Sequence, residues 1–158
     1  MYNSIKFVMK GSILMEKQKS RRDARIDAFK LIFMWENCDS IEFELDRLQS
    51  DEYKEHKKHM KYIRTAIGAF GEHKSEIDSV IAENLTTGWS MNRLSKMSLA
   101  ILRLAVCEIN YIEDIPTGVA INEAVELAKL YDSPKASGFV NGLLRGVLRK
   151  KEGEQQGE

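Results

Sequence analysis

The chain has 158 residues, 24 basic and 24 acidic side chains and 43% hydrophobic content, so it can bury a core without staples, and its balanced charge argues against a general polyanion coat. Two cysteines, Cys38 and Cys107, far apart and without Cys-x-x-Cys spacing, exclude a disulfide framework and a cysteine zinc site and fit a reducing, cytoplasmic setting. No stretch reaches the roughly 18 uncharged apolar residues of a membrane span, and the start MYNSIKFVMKGSILMEKQKSRR has no cleavage site after a sustained apolar run, so neither an anchor nor a signal peptide is expected.

In chain order, Ser20-x-x-Asp23 resembles a capping box and opens a helix. On it Ala24, Ala28, Leu31, Ile32 and Trp35 form one apolar stripe, and Ile26, Phe29 and Phe33 form another. Asp39 with Glu42 predicts a second start, leading into Ile41, Leu45 and Leu48. A longer helix follows, with Met60, Ile63, Ile67 and Phe70 on one stripe and Gly71 as its end. Ile77, Val80, Ile81 and Leu85 mark a separate helix that stops near Gly88. LSKMSLAILRLAVCEINYI is apolar on nearly every side, which predicts a helix enclosed by others. Pro116 and Pro134 each stand at a helix entry, the second behind the cap candidate Ser133. No run alternates at strand period and no solenoid repeat is visible, which leaves an all-α bundle.

The last helix contains SGFVNGLLRGVLRK, whose Gly142 and Gly146 each cost roughly 1 kcal/mol against Ala. Both fall on the flank of the stripe made by Phe139, Val140, Leu143, Leu144, Val147 and Leu148, where close approach of a neighbouring helix is the plain explanation. Lys135, Ser137 and Gly138 form a helix start able to face an anion. No phosphate loop, nucleophile elbow or His-Glu-x-x-His motif is present, so no enzyme chemistry is indicated. His56 and His59, with Glu52 and Glu55 in reach, have a metal-like spacing, but the lysines around them favour a solvated face. Glu123 and Glu126 are expected to face water or make ordinary ion pairs. The basic run from Lys17 to Arg25 holds Lys17, Lys19, Arg21, Arg22 and Arg25 against Asp23 alone. Arg22, Arg25, Phe29 and Phe33 share one arc of the first helix. Cations at a helix N-terminus oppose its dipole, which favours a phosphate-facing role for the arginines, whereas burial is the better expectation for both rings.

Three stretches, SRRDARIDAFKLIFMWE, MSLAILRLAVCEINYIEDIPTGVAINEAVELAKLY and FVNGLLRGVL, resemble in that order the NusB family of bacterial transcription antitermination factors, over about Ser20 to Lys150. The resemblance implies a compact NusB-type bundle, here of about seven helices in two small subdomains, that is not an enzyme and needs no cofactor or metal. It implies binding of single-stranded boxA-type RNA in nascent ribosomal RNA jointly with NusE, a small-subunit ribosomal protein. Within the transcription elongation complex, that assembly helps RNA polymerase read through terminators. Carried over by position, the RNA-binding set is Lys19, Arg21, Arg22, Arg25, Phe33, Lys135 and Phe139. Phe33 and Ser98 stand where the best-known members have a tyrosine and an acidic residue.

Residues 1–19 are expected to be a flexible extension, with Met15 a candidate functional start. The NusB-type domain spans 20–150, with subdomains of about 20–86 and 90–150, and 151–158 is expected to fray. The FVNG segment also looks like the RNA-binding domain of ribosomal RNA 5-cytosine methyltransferases, which continue into a much larger catalytic domain; a free-standing adaptor is the expected reading, with a fragment of such an enzyme as the alternative. A helical protein-interaction adaptor that never touches RNA is a further alternative, and a homodimer is left open.

Overall fold

The computed structural model describes residues 21–48 and 57–157. Among them are six α-helices: α1 (Arg21–Met34), α2 (Ile41–Leu48), α3 (Lys57–Glu83), α4 (Lys96–Tyr111), α5 (Thr117–Tyr131) and α6 (Pro134–Gln155). Two 3₁₀ turns, Trp35–Asn37 and Met91–Arg93, lie between them. The all-α expectation holds, with six helices among the described residues where about seven were expected. Lys19, the expected extension at 1–19 and the Glu52, Glu55, His56 group lie outside the described residues.

α4 is the centre of the molecule, as its unbroken apolarity requires. Every residue from Ala100 to Ile109 is buried, and α1, α3, α5 and α6 pack around it. Its start is fixed by Ser95, whose hydroxyl accepts the Ser98 N–H at 3.0 Å. α6 starts as the sequence predicts, with Ser133 accepting the Ala136 N–H at 3.0 Å and Pro134 in the first turn. α2 begins one residue later than its acidic signal suggested: Ser40, not Asp39, accepts the Phe43 N–H at 3.2 Å. The expected subdomain boundary at Thr86 to Ser90 falls in the loop between α3 and α4, where Gly88 turns the chain with φ +87°.

Two sequence expectations need correction. The break between the two expected helices comes two residues later than Gly71, at His73 (φ −115°, ψ 20°), where α3 kinks. The glycine makes room instead: a Cβ there would lie 2.8 Å from Cη2 of Trp35. That indole stands edge-on to Phe70, with centroids 5.1 Å apart and planes at 87°. The tail does not fray at Lys151 either, since α6 continues to Gln155. Lys151 Nζ donates to the Ile109 carbonyl at 2.5 Å and Lys150 Nζ to the Glu83 carbonyl at 3.1 Å. Both acceptors are among the final carbonyls of α4 and α3, which lack partners within their own helices, so the two lysines cap two neighbouring helix ends.

Candidate nucleic-acid interface

The basic start of α1 separates into an inward and an outward part. Arg25 points inward: its Nε donates to Glu108 Oε1 at 2.8 Å, and the two side chains are only 8% and 2% exposed. The Tyr62 hydroxyl donates to the same oxygen at 2.5 Å, and the guanidinium lies 5.8 Å from the Tyr62 ring centroid. Burial pushes the Glu108 carboxyl above its ordinary value, an effect that Arg25 and Tyr62 offset only in part. Desolvation likewise pushes the neighbouring Cys107 thiol up to about 12, so it is inert as a nucleophile. The expectation that Arg25 positions phosphate is therefore corrected, because a guanidinium enclosed with a buried carboxylate is not open to an incoming chain.

Arg22 points outward. It forks onto Glu123 of α5 with Nε–Oε2 3.0 Å and Nη2–Oε1 2.8 Å. These hydrogen bonds, with the charge of Arg22, hold the Glu123 carboxyl below the usual carboxylate range. Arg21 is exposed and lines a cleft of about 330 Å³ together with Lys61, Tyr62 and Asp114. Of the two rings on this arc, Phe29 is buried at 2%, while Phe33 is 36% exposed.

A second cluster lies at the other end of the bundle. Arg22 meets Glu123 and, two turns on, Phe29 packs on Tyr131 with centroids 5.1 Å apart, so α1 and α5 run in the same direction and Phe29 lies near the turn into α6. From Arg22 to Phe33 the helix rises about 16 Å. At this end the Ser98 and Ser95 hydroxyls donate to Asp132 Oδ2 at 2.8 and 2.5 Å. Ser98 thus holds a carboxylate supplied by another element. Ser137 faces inward and its hydroxyl donates to the Pro134 carbonyl at 2.6 Å, so the expected anion-facing turn is reduced to exposed Lys135 and Gly138. Phe139 is half-buried and stacks on Trp89, centroids 6.1 Å apart and planes at 29°. Arg93 lies 5.1 Å from the Trp89 centroid and donates to the Gly88 carbonyl at 3.1 Å.

The two glycines of α6 serve different purposes. A Cβ on Gly146 would lie 3.1 Å from Asn84 Oδ1, so close packing accounts for it. Gly142 is exposed, and a Cβ there would meet nothing within 4 Å. Gly142→Ala should therefore stabilise the protein by up to about 1 kcal/mol through helix propensity, seen as a rise of a few degrees in the calorimetric Tm.

Trp89, Arg93, Glu108 and Asp132 were not singled out by the sequence reading. For Glu108 a signal exists, since a lone acid inside the apolar run LAVCEINYI requires a buried partner. For Trp89 and Arg93 nothing local marks them, because they lie in a loop whose relation to Phe139 is tertiary.

Comparison with known proteins places this geometry. The NusB family model matches residues 22–149. The chain is 42% identical over 127 residues to the transcription antitermination protein NusB of Agathobacter rectalis, covering 79% of this chain and 96% of that protein. Among solved structures, T. maritima NusB superimposes with a TM-score of 0.74 at 34% identity, covering 84% of this chain and 93% of that one. A structure of antitermination factors NusB and NusE in complex with dsRNA matches with a TM-score of 0.72 at 27% identity, covering 82% and 96% of the two chains. With its central apolar helix, its FVNG-bearing last helix and these matches along most of its length, this chain belongs to the NusB family.

Proposed function

We propose that this protein is a transcription antitermination factor that binds boxA-type single-stranded RNA of nascent ribosomal RNA together with NusE, and that the complex promotes read-through by RNA polymerase. The observation that carries this reading is the match, over most of both chains, to NusB solved with NusE and dsRNA. The relatives' near-complete coverage at 42% identity favours it over a methyltransferase domain. In this reading exposed Arg21, Arg22 and Lys135 contact phosphates, and Phe139 borders the RNA at the start of α6. Arg25 acts from within by holding α1 against α4. The role is that of a non-enzymatic adaptor in the cytoplasm; none of the described helices is long and apolar enough to cross a membrane.

The test is binding of a short boxA-type RNA across a salt series, with and without purified NusE. Affinity should fall with salt at a log-log slope of about −0.7 for each phosphate engaged, and NusE should tighten binding. Lys135→Ala should flatten the slope by about one such increment without changing the Tm. A folded protein that binds no RNA in either condition would leave the fold intact and replace this function with that of a protein-interaction adaptor.

A further inference from the structure

We infer that Trp89, packed against Phe139 and with the Arg93 guanidinium over its ring, presents its exposed half as a stacking platform for one unpaired RNA base, a site that extends the RNA surface beyond the arginines of α1. The inference rests on the RNA-binding reading above. Trp89 is 50% exposed although Phe139 and Arg93 both lie against it. Large aromatics are ordinarily placed where their apolar area is covered, and the protein's other tryptophan, Trp35, packs against Phe70. The turn is built to present the ring. Gly88 takes φ +87°, the Trp89 N–H donates to the Thr86 carbonyl at 2.9 Å, and Arg93 donates back to the Gly88 carbonyl at 3.1 Å.

The chemistry of the surroundings selects the occupant. Arg93 supplies a cation that can stack on a base or fork onto the adjoining phosphate, and exposed Lys135 adds charge one turn before Phe139. Beside Phe139 the surface of α6 is bare, because Gly138 and Gly142, one turn apart, have nothing within 4 Å of a Cβ position. A flat aromatic, a guanidinium and an open backbone strip together suit a splayed-out nucleotide.

The experiment uses the full chain with a short single-stranded boxA-type RNA, with NusE present and absent. Trp89→Ala should weaken RNA binding by roughly five- to a hundredfold, the usual effect of losing one base stack, and leave the salt slope and the affinity for NusE unchanged. Trp89→Phe should retain most of the binding. RNA should also quench tryptophan emission in the wild type, and that quench should vanish in Trp89→Phe, where Trp35 alone remains to report. Wild-type affinity in Trp89→Ala with no RNA-induced quench in the wild type would overturn the platform while leaving the RNA-binding reading in place. Loss of NusE binding with RNA affinity intact would overturn it in favour of a protein contact. Absence of RNA binding by the wild type would remove both readings. Should Trp89→Ala fail to fold, the Trp89→Phe quench and an Arg93→Ala titration, expected to reduce the salt slope by one phosphate, decide the matter.

Discussion

Replacing Arg25 by alanine should lower the stability of the fold by about 3–5 kcal/mol, measured as a fall in the urea midpoint at unchanged m-value. The same change at Arg22, whose side chain is 53% exposed, should leave the midpoint almost where it was. The difference comes from what each substitution leaves behind. Without Arg22, Glu123 returns to water. Without Arg25, the Glu108 carboxylate, 2% exposed, keeps only the Tyr62 hydroxyl as a hydrogen-bond partner among those described. A buried charge that loses its counter-charge bears most of its desolvation cost. Replacing the pair together, Arg25→Met with Glu108→Leu, should recover most of the loss, because apolar side chains of similar volume need no partner. The pH dependence follows from the direction of the Glu108 shift. Its carboxyl is raised above the ordinary 4.5, chiefly by burial, so between 4.5 and the folded value the native state binds more protons than the unfolded chain. This group's contribution to stability is therefore present at low pH and declines as pH rises through that window. In Glu108→Gln that decline should disappear from the stability profile. Asp78 contributes with the opposite sign. Burial alone would raise its carboxyl, but the hydrogen bonds and charge of Arg103, helped by Lys74, hold it below its ordinary value, so its contribution is lost as pH falls through that lowered value.

Phe70→Ala should cost about 3–5 kcal/mol, within the range for deleting a fully buried aromatic, and should unfold the protein at a correspondingly lower urea concentration. Phe70 is 0% exposed and joins three parts of the molecule. It lies on α3, the Trp35 indole meets it edge-on from the 3₁₀ turn after α1, and the Arg103 guanidinium of α4 lies 5.9 Å from its centroid. That guanidinium is in turn bound to Asp78 at 2.8 and 2.9 Å and to Glu36 at 3.1 Å. An alanine would leave a cavity bordered by a tryptophan and a charged group, neither of which can collapse into it without giving up a partner. Phe70→Leu, which fills most of the volume, should cost clearly less. RNA affinity per folded molecule should be unchanged by both substitutions, since neither touches the exposed residues at the starts of α1 and α6.

The helices themselves were legible in the sequence. The apolar stripe of α1, the cap Ser133, the prolines at the entries of α5 and α6 and the enclosed character of α4 all act over a few residues, and each is present in the fold. The family resemblance was equally legible, through the INEAVELAK and FVNG stretches. Errors arose where a local signal was outweighed by a distant one. Gly71 reads as the helix stop, whereas the break comes two residues later at His73 and the glycine makes room for Trp35 of another element. The polar end of α6 reads as a fraying tail until the last carbonyls of α3 and α4 present acceptors to Lys150 and Lys151. Spacing alone put Arg22 and Arg25 on one arc and suggested one role for both. Their fates diverge because Arg22 meets an acid 101 residues away at the surface and Arg25 meets one 83 residues away in the core. Periodicity and capping, which are properties of neighbours along the chain, settled the helices and their apolar faces. Which charges are buried, which lie at the surface, and that Trp89 stands beside Phe139 are properties of neighbours in space, and only the packed bundle decided them.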